Sequence, residues 1–320
     1  MRLIQFRDDT NRGHVGLVNG ERIRIVNGIS SMYSLVQKHF ESGKSLENLV
    51  NELVGNASEN YEYLLANNQV DVPLSHPDPY HTWVTGTGLT HLGSATSRDS
   101  MHQKLQQTDP EELTDSMKMF RMGLEGGKMQ GETPGVQPEW FYKGNGLMVV
   151  APGRPLQSPT FALDGGEEPE IVGIYVNKPD GTPFRVGFAV GNEFSDHKME
   201  KINYLYLAHS KLRQCSYGPE IFIGELPKHL VGTCSVKEGE QTIWKKEFLT
   251  GEANMSHNIQ NLEHHHFKYE LFRQPGDVHI HYFGTSVLSF AEGIQVRNGQ
   301  QFEIEIPLLG KPLINPLNQL

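Results

Sequence analysis

Two glutamates that flank a proline are the residues best placed to act together in this sequence. Glu168 and Glu170 lead into a run of β-branched and aromatic residues at 171–176. Alternate residues of an extended chain project from one face, so we expect both carboxylates to point the same way. Such like charges repel unless a cation neutralises them, which indicates a hard divalent ion such as Mg²⁺. A solvated pair at the start of an exposed strand is the alternative.

A third carboxylate follows the next apolar run. Residues 186–190 are apolar, and Glu193 stands where this run gives way to polar residues. The Asp180-Gly181 dipeptide between the two runs predicts a tight hairpin, which would bring Glu193 beside the first pair. Three carboxylates and water suit octahedral Mg²⁺ or Mn²⁺ and leave positions for a chelating substrate.

One histidine lies in a glycine-rich passage at 86–95. Glycines there would let a ligand approach the backbone, and His91 would be exposed to it. The passage lacks the spacing of a phosphate-binding loop, and a lone histidine is more often structural. By itself His91 is therefore a weak candidate.

The N-terminal elements that must support these residues are small. Residues 1–28 alternate short apolar runs with two Asn-Gly dipeptides, which predicts hairpins, and Ser45 precedes an apolar stripe at helical spacing. Prolines at 71–79 interrupt the spacing of apolar residues that a helix or a strand would need. We therefore place a boundary there between an N-terminal domain, 1–75, and a larger body, 76–320.

The larger body is predicted to be rich in β-structure. One helix is expected, with Asp109 as its N-cap and Gly126-Gly127 at its end. Its methionines are typical either of core filling or of a segment that moves over a site. From Trp140 onward, short β-branched runs end at turn dipeptides, including a strand at 267–272, so we expect an α+β fold with mixed strand directions.

The net charge and the cysteine content of the chain limit the partners and the compartment that we expect for it. The chain has 320 residues and a formal net charge of −10, which disfavours binding to nucleic acid and to anionic membranes. Its only cysteines, Cys215 and Cys234, cannot form a disulfide framework and indicate a reducing compartment. Without an apolar leader or spanning segment, we expect a cytoplasmic protein.

Taken together, these segments resemble the fumarylacetoacetate hydrolase family over most of residues 80–320. Gly88-Leu89-Thr90-His91 resembles the family's catalytic-histidine loop, and Glu168-Pro169-Glu170 resembles its metal-binding strand. Residues 187–193 resemble the segment that supplies its third ligand. Lys211, followed by Cys215-Ser216-Tyr217-Gly218-Pro219, and the late Gly284-Thr285-Ser286 element resemble further parts of the pattern.

The resemblance implies a mixed β-roll catalytic body with a small N-terminal α+β domain, a Mg²⁺ or Mn²⁺ site, a small 2-oxo acid substrate and a homodimer. It implies that Glu168, Glu170 and Glu193 hold the metal. His91 would be a catalytic acid or base, and Lys211 would stabilise an enolate. The candidates for contact with substrate are Ser94, Arg98, Lys143, Asn145 and Thr285.

Two departures from the family pattern bear on the reaction. The third ligand, normally Asp, is Glu193, and the Glu that pairs with the histidine in hydrolytic members is replaced by Ser94. Dehydration of a 2-keto-3-deoxy pentonate to 2-oxoglutarate semialdehyde needs a base and an acid but no activated water. We therefore predict a sugar-acid dehydratase. A carbon–carbon hydrolase of acylpyruvate-type or fumarylacetoacetate-type acids and a non-catalytic sugar-acid binding module are the alternatives.

Overall fold

The structure, a computed structural model, describes residues 1–92, 113 and 115–320. Seventeen strands lie in these residues: β1 (Arg2–Arg7), β2 (Gly13–Asn19), β3 (Arg22–Val26), β4 (Val54–Asn60), β5 (Thr82–Gly88), β6 (Glu139–Asn145), β7 (Val149–Val150), β8 (Leu156–Ser158), β9 (Pro169–Asn177), β10 (Pro183–Asn192), β11 (Cys215–Tyr217), β12 (Ile221–Phe222), β13 (Leu230–Glu238), β14 (Gln241–Thr250), β15 (Val278–Tyr282), β16 (Gln301–Glu305) and β17 (Leu313–Gln319).

Seven α-helices are found in the same residues: α1 (Met32–Ser42), α2 (Leu46–Leu53), α3 (Tyr61–Ala66), α4 (Asp115–Gly126), α5 (His197–Ile202), α6 (Leu207–Lys211) and α7 (Ile259–Phe267). Short 3-10 helices lie at Pro79–His81, Gly146–Met148, Tyr204–Tyr206, Glu252–Asn254, Glu270–Arg273, Ser289–Glu292 and Pro307–Leu309. None of these helices is long and apolar enough to cross a membrane.

The strands form two sheets. In the larger sheet the order is β4-β3-β2-β1-β12-β10-β9-β15-β5-β6, with β11 on β10 and β7 on β11. Strand β15 is antiparallel to β9 and parallel to β5, so the sheet is mixed. The smaller sheet has the order β14-β13-β16-β17-β8. The predicted α+β, β-rich fold class is confirmed.

The N-terminal elements form as their local signals predict. The first three strands are joined as antiparallel hairpins. Ser45 caps α2 by accepting a hydrogen bond from the Asn48 amide, and Ser31 and Ser34 form a capping box at the start of α1. Each cap satisfies amide groups that a helix start leaves without a partner.

These elements share a sheet and a core with the larger body. Strand β1 pairs with β12, and Leu3 and Met32 belong to the same buried cluster as Ile174 and Val278. The proposed boundary between 1–75 and 76–320 lies in a stretch without helix or strand, but packing is continuous across it. The division into an N-terminal domain, 1–75, and a larger body, 76–320, therefore stays a prediction.

The segment after the three consecutive histidines differs from our expectation of a strand. Helix α7 continues to Phe267 and is followed by a 3-10 helix at Glu270–Arg273. Asn258 caps α7 by accepting from the Asn261 amide, and Ile259, Leu262 and Phe267 are buried. Helical spacing of apolar residues outweighs the β-propensity of the aromatic run. For the methionine helix, the end at Gly126 is confirmed, whereas Asp109 lies outside the described residues.

Candidate metal centre and active site

Three buried carboxylates converge at the end of one hairpin. Glu168, Glu170 and Glu193 each offer an oxygen that lies within 4.8 Å of the other two. Glu168 and Glu193 flank the paired ends of β9 and β10, where the Glu193 amide donates to the Glu168 carbonyl at 3.0 Å. Glu170 pairs with Gly191 in the same ladder. The hairpin predicted from Asp180-Gly181 is what brings the three residues together.

Lys211 lies among these carboxylates. Its Nζ donates to Glu168, to Glu193 Oε2 at 2.6 Å and to Ser195 Oγ at 3.2 Å. The ring of Phe141 covers the ammonium, with its centroid 4.9 Å from Nζ. Burial alone would lower the pKa of Lys211, but Glu168 and Glu193 outweigh it and raise that pKa well above its usual value. A positive charge is therefore maintained beside these carboxylates.

His197 supports Glu168 from the other side. Its Nε2 lies 3.2 Å from Glu168 Oε1, and its Nδ1 lies 3.8 Å from Asp164 Oδ2, which is too long for a hydrogen bond. Burial would lower the pKa of His197, but these two carboxylates outweigh it and raise the pKa to about 10. Our sequence analysis missed this residue, because nothing in its spacing links it to Glu168.

The three carboxylates differ in protonation. Burial would raise the pKa of Glu168, but Lys211 and His197 outweigh it and lower that pKa. The pKa of Glu170 is raised well above its usual value by burial and by the charges of Glu193 and Glu168. One protonated or cation-bound member is what repulsion between closely spaced carboxylates requires. Lys211, His197 and Lys143 contact Glu168 or Glu193, whereas Glu170 forms no ion pair within the described part of the chain.

The donors present suit a hard divalent cation. Around an ion at about 2.1 Å, neighbouring ligand oxygens lie roughly 3 Å apart and opposite ones about 4 Å apart. One oxygen of each of the three carboxylates lies within 4.8 Å of the others, which is close enough for the three residues to share one ion. All three donors are carboxylate oxygens, the type that Mg²⁺ and Mn²⁺ prefer. The residues present therefore fit such an ion.

A fourth acid, Glu139, faces the same region and was not predicted. It begins β6 opposite Gly88, and its buried Oε2 has no hydrogen-bond partner within the described chain. The pKa of Glu139 is raised to about 7 by burial, against the attraction of Lys211. Alternation along β6 with Phe141 and Lys143 is the signal that could have found it. A carboxyl group that titrates near neutrality suits proton transfer.

His91 is buried and is held by the hydroxyl groups of two threonines. Its Nε2 is 2.9 Å from Thr250 Oγ1, and its Nδ1 is 3.1 Å from Thr90 Oγ1. Burial lowers the pKa of His91 to about 4, so the ring is neutral at pH 7. No described carboxylate contacts this ring. Its predicted role as acid or base stays a prediction.

Gly284 links the histidine loop to Glu170. Its amide donates to Glu170 Oε2 at 2.6 Å, and a Cβ atom at 284 would lie 2.2 Å from Thr90 Oγ1. The backbone at Gly284 also has φ of 99°, which glycine tolerates best. The hydroxyl of the next residue, Thr285, donates to the Val287 carbonyl at 3.1 Å. Thr285 is therefore next to the centre, but its contact with substrate stays a prediction.

Two other predicted substrate contacts have different partners in the structure. Lys143 is fully buried and lies 2.6 Å from Glu193 Oε1. Asn145 accepts a hydrogen bond from the Leu147 amide at 3.0 Å and so caps a 3-10 turn. Ser94 and Arg98 lie outside the described residues. Contact of these four residues with substrate stays a prediction.

The remaining candidates from the sequence are core residues. His279 and His281 are buried, and burial lowers the pKa of each to about 3. The Cys215 thiol is also buried, which raises its pKa to about 11 and agrees with the inert role that we expected.

Comparison with solved structures identifies the fold. An apo 2-keto-3-deoxy-D-arabinonate dehydratase superposes with a TM-score of 0.72 at 17% identity, over 100% of this chain and 99% of that chain. A structure of 2-keto-3-deoxy-D-arabinonate dehydratase complexed with magnesium and 2,5-dioxopentanoate gives 0.71 at 16%, with the same coverage. Maleylpyruvate hydrolase from Sphingobium sp. SYK-6 gives 0.60 at 14%, over 100% of both chains.

No protein-family model and no curated protein matches the chain. The identities to these solved structures are low, so the likeness establishes the fold and leaves the reaction to the site. The predicted fold of the fumarylacetoacetate hydrolase type, which these neighbours share, is confirmed.

Proposed function

We propose that the chain is a Mg²⁺-dependent lyase that dehydrates a 2-keto-3-deoxy pentonate to 2,5-dioxopentanoate, which is 2-oxoglutarate semialdehyde. The observation that carries the proposal is the buried set of Glu168, Glu170 and Glu193 beside Lys211. Glu139 faces the same region, and its Oε2 has no hydrogen-bond partner among the residues that the structure describes. The neighbour that was solved with magnesium and 2,5-dioxopentanoate supports both the ion and the product class.

The three carboxylates would hold the ion, which when bound polarises the 2-oxo group and acidifies the protons on C3. Lys211 adds a second positive charge near the oxo oxygen, where negative charge develops in the transition state. Lys211 now donates to Glu168, Glu193 and Ser195, so an ion bound to these carboxylates would free its ammonium group to face the oxo oxygen.

Glu139 is the residue that we assign to proton transfer. As a carboxylate it takes a proton from C3, and the electron pair of that C–H bond moves toward the oxo group. The resulting carboxylic acid then donates the same proton to the C4 hydroxyl group as the C4–O bond breaks, which releases water and leaves 5-hydroxy-2-oxopent-3-enoate. This compound is an isomer of 2,5-dioxopentanoate, and it becomes 2,5-dioxopentanoate when a C5 proton is lost, C3 is protonated, and the resulting C5 enol takes a proton on C4 as its hydroxyl proton leaves. A pKa of about 7 allows one side chain to serve as base and then as acid.

Carbon–carbon hydrolysis is the second candidate, because maleylpyruvate hydrolase has the same fold. Hydrolysis requires an activated water, for which a histidine oriented by a carboxylate is the usual arrangement. His91 is instead held by the hydroxyl groups of Thr90 and Thr250. This difference favours dehydration.

The test uses three assays on the full chain with Mg²⁺. Exchange of the methyl protons of pyruvate in D₂O, followed by ¹H NMR, reports proton abstraction alone. Formation of 2,5-dioxopentanoate from 2-keto-3-deoxy-D-arabinonate reports dehydration, and loss of maleylpyruvate reports hydrolysis. We expect exchange and dehydration. Hydrolysis without dehydration would establish the second candidate, and the absence of exchange and of both products would favour the non-catalytic binding module.

A further inference from the structure

Lys143 is a fully buried lysine whose ammonium group contacts Glu193, one of the three carboxylates of the candidate metal centre. We propose that Lys143 is a positioning residue, which holds Glu193 in the orientation that a metal ligand needs and fixes the main chain that carries Lys211. It does so without contacting substrate. The inference rests on the proposed function, because it presupposes that Glu193 binds an ion.

The contacts of Lys143 account for its hydrogen-bonding capacity. Its Nζ lies 2.6 Å from Glu193 Oε1, 2.6 Å from the Phe194 carbonyl and 3.0 Å from the Lys211 carbonyl. The Glu193 carbonyl is at 3.4 Å. An ammonium group has three N–H donors, so none remains for a substrate oxygen. This is why the structure argues against the contact with substrate that the sequence suggests.

The two oxygens of Glu193 are held by different cations. Lys143 lies against Oε1, and Lys211 donates to Oε2 at 2.6 Å. If Glu193 held an ion, the contact of Oε1 with Lys143 would still orient the carboxylate. Glu193 has one more rotatable bond than Asp, so it loses more rotamer freedom on being ordered and benefits more from such an anchor.

Lys143 also connects the segment that carries Glu193 to the segment that carries Lys211. The carbonyl groups of Phe194 and Lys211 belong to the turn after β10 and to the end of α6, and both accept from the same ammonium group. Removal of the charge would loosen both segments together. It would also leave the Glu193 carboxylate buried without one of its two cations, which is destabilising.

The experiment compares Mn²⁺ binding, measured by electron paramagnetic resonance, in the wild type, Lys143→Met and Asn315→Ala. Asn315 is also buried, but its amide donates to the main chain at Ala151 and Arg154, so its loss reports general destabilisation. We expect the Mn²⁺ dissociation constant to rise at least ten-fold in Lys143→Met and to stay within two-fold of wild type in Asn315→Ala. Lys143→Gln, which keeps N–H donors for the carbonyl groups, replaces Lys143→Met if that variant does not fold.

Each outcome separates this inference from the proposed function. If the wild type binds Mn²⁺ and the Lys143 variant binds it equally well, the positioning role is wrong and the proposed function stands. A variant with unchanged Mn²⁺ affinity and a raised KM for 2-keto-3-deoxy-D-arabinonate would restore the sequence-based role in substrate binding. If Asn315→Ala weakened Mn²⁺ binding as much as Lys143→Met, the loss of binding would be due to lower stability, and the positioning role would be wrong. No Mn²⁺ binding by the wild type would overturn both proposals.

Discussion

The carboxyl group of Glu139 lies directly against Gly88, so that a Cβ atom at position 88 would come within 1.8 Å of Glu139 Oε1. The two residues are also partners in the β5–β6 ladder. Lys211 is near enough for its charge to act against the raised pKa of this carboxyl group. It makes Gly88 a residue through which Glu139 can be displaced without changing its chemistry.

Substitution Gly88→Ala is expected to lower the dehydration rate by about ten-fold to a hundred-fold, because a small misplacement of a proton-transfer group is costly. Mg²⁺ affinity should stay within two-fold of wild type, since the three ligands are untouched. Steady-state kinetics and calorimetric Mg²⁺ titration check both statements. The same substitution in a Glu139→Gln background should have no further effect on rate, and a full additional loss there would contradict this account.

The pH dependence of kcat/KM should show an acidic limb that is set by the ionisation of Glu139. The group acts first as a base, so the rate rises with pH as the carboxyl group deprotonates, is half-maximal near its pKa of about 7 and levels off above it. A bound divalent ion adds positive charge and moves this limb to lower pH. Glu139→Gln should remove the limb and lower the rate by about 10² to 10⁴. Retention of the limb in that variant would assign it to another group.

Removal of the Lys211 charge should separate catalysis from metal binding. In Lys211→Met we expect kcat to fall by about 10² to 10³, as for loss of one donor to a developing oxyanion. Mg²⁺ affinity should stay equal or rise, because Lys211 competes with the ion for Glu168 and Glu193. Lys201→Met, at an exposed position, is the matched control. Parallel loss of Mg²⁺ binding and of kcat would mean that Lys211 is needed to form the metal site.

The neutral core histidine His281 predicts a stability that depends on pH. Its folded pKa of about 3 lies below the unfolded value of about 6.5, so its contribution is present above pH 6.5 and is lost as pH falls. At pH 5 the unfolded chain binds a proton that the folded chain does not, which costs about 2 kcal/mol.

Urea unfolding at pH 7 and pH 5 measures this cost. The variant His281→Gln should lose about 2 kcal/mol less between these pH values than the wild type does. The free energy of unfolding of the variant at pH 5 is compared with its own value at pH 7, so a lower stability of the variant at both pH values does not affect the result. An identical pH dependence in variant and wild type would contradict the assignment.

The residues that sequence analysis placed correctly are those governed by local rules. Alternation along a strand put Glu168 and Glu170 on one face, and the turn signal at Asp180-Gly181 brought Glu193 to them. Both rules act over a few residues, so the sequence alone is sufficient to apply them.

The residues that it missed or assigned differently depend on contacts between distant segments. Glu139 acquires its raised pKa from burial and from residues that follow much later in the chain. The roles of His197 and Lys143 follow from the carboxylates that they contact. A sequence motif gives the type of a residue, but it does not give the direction in which the side chain points. Such pairings are decided by tertiary packing.

The central claim is that three buried carboxylates form one divalent-metal site. Glu170 is the most informative of them, because its carboxylate forms no ion pair with a described lysine, so its substitution removes a ligand without freeing a buried cation. Glu263→Gln is the matched control, since Glu263 binds Arg185 and Tyr175 away from the centre. The measurement is calorimetric titration of the full chain with Mn²⁺. We predict one ion per chain in the wild type and in Glu263→Gln, and none in Glu170→Gln; absence of binding by the wild type, or equal binding by Glu170→Gln, would contradict the claim.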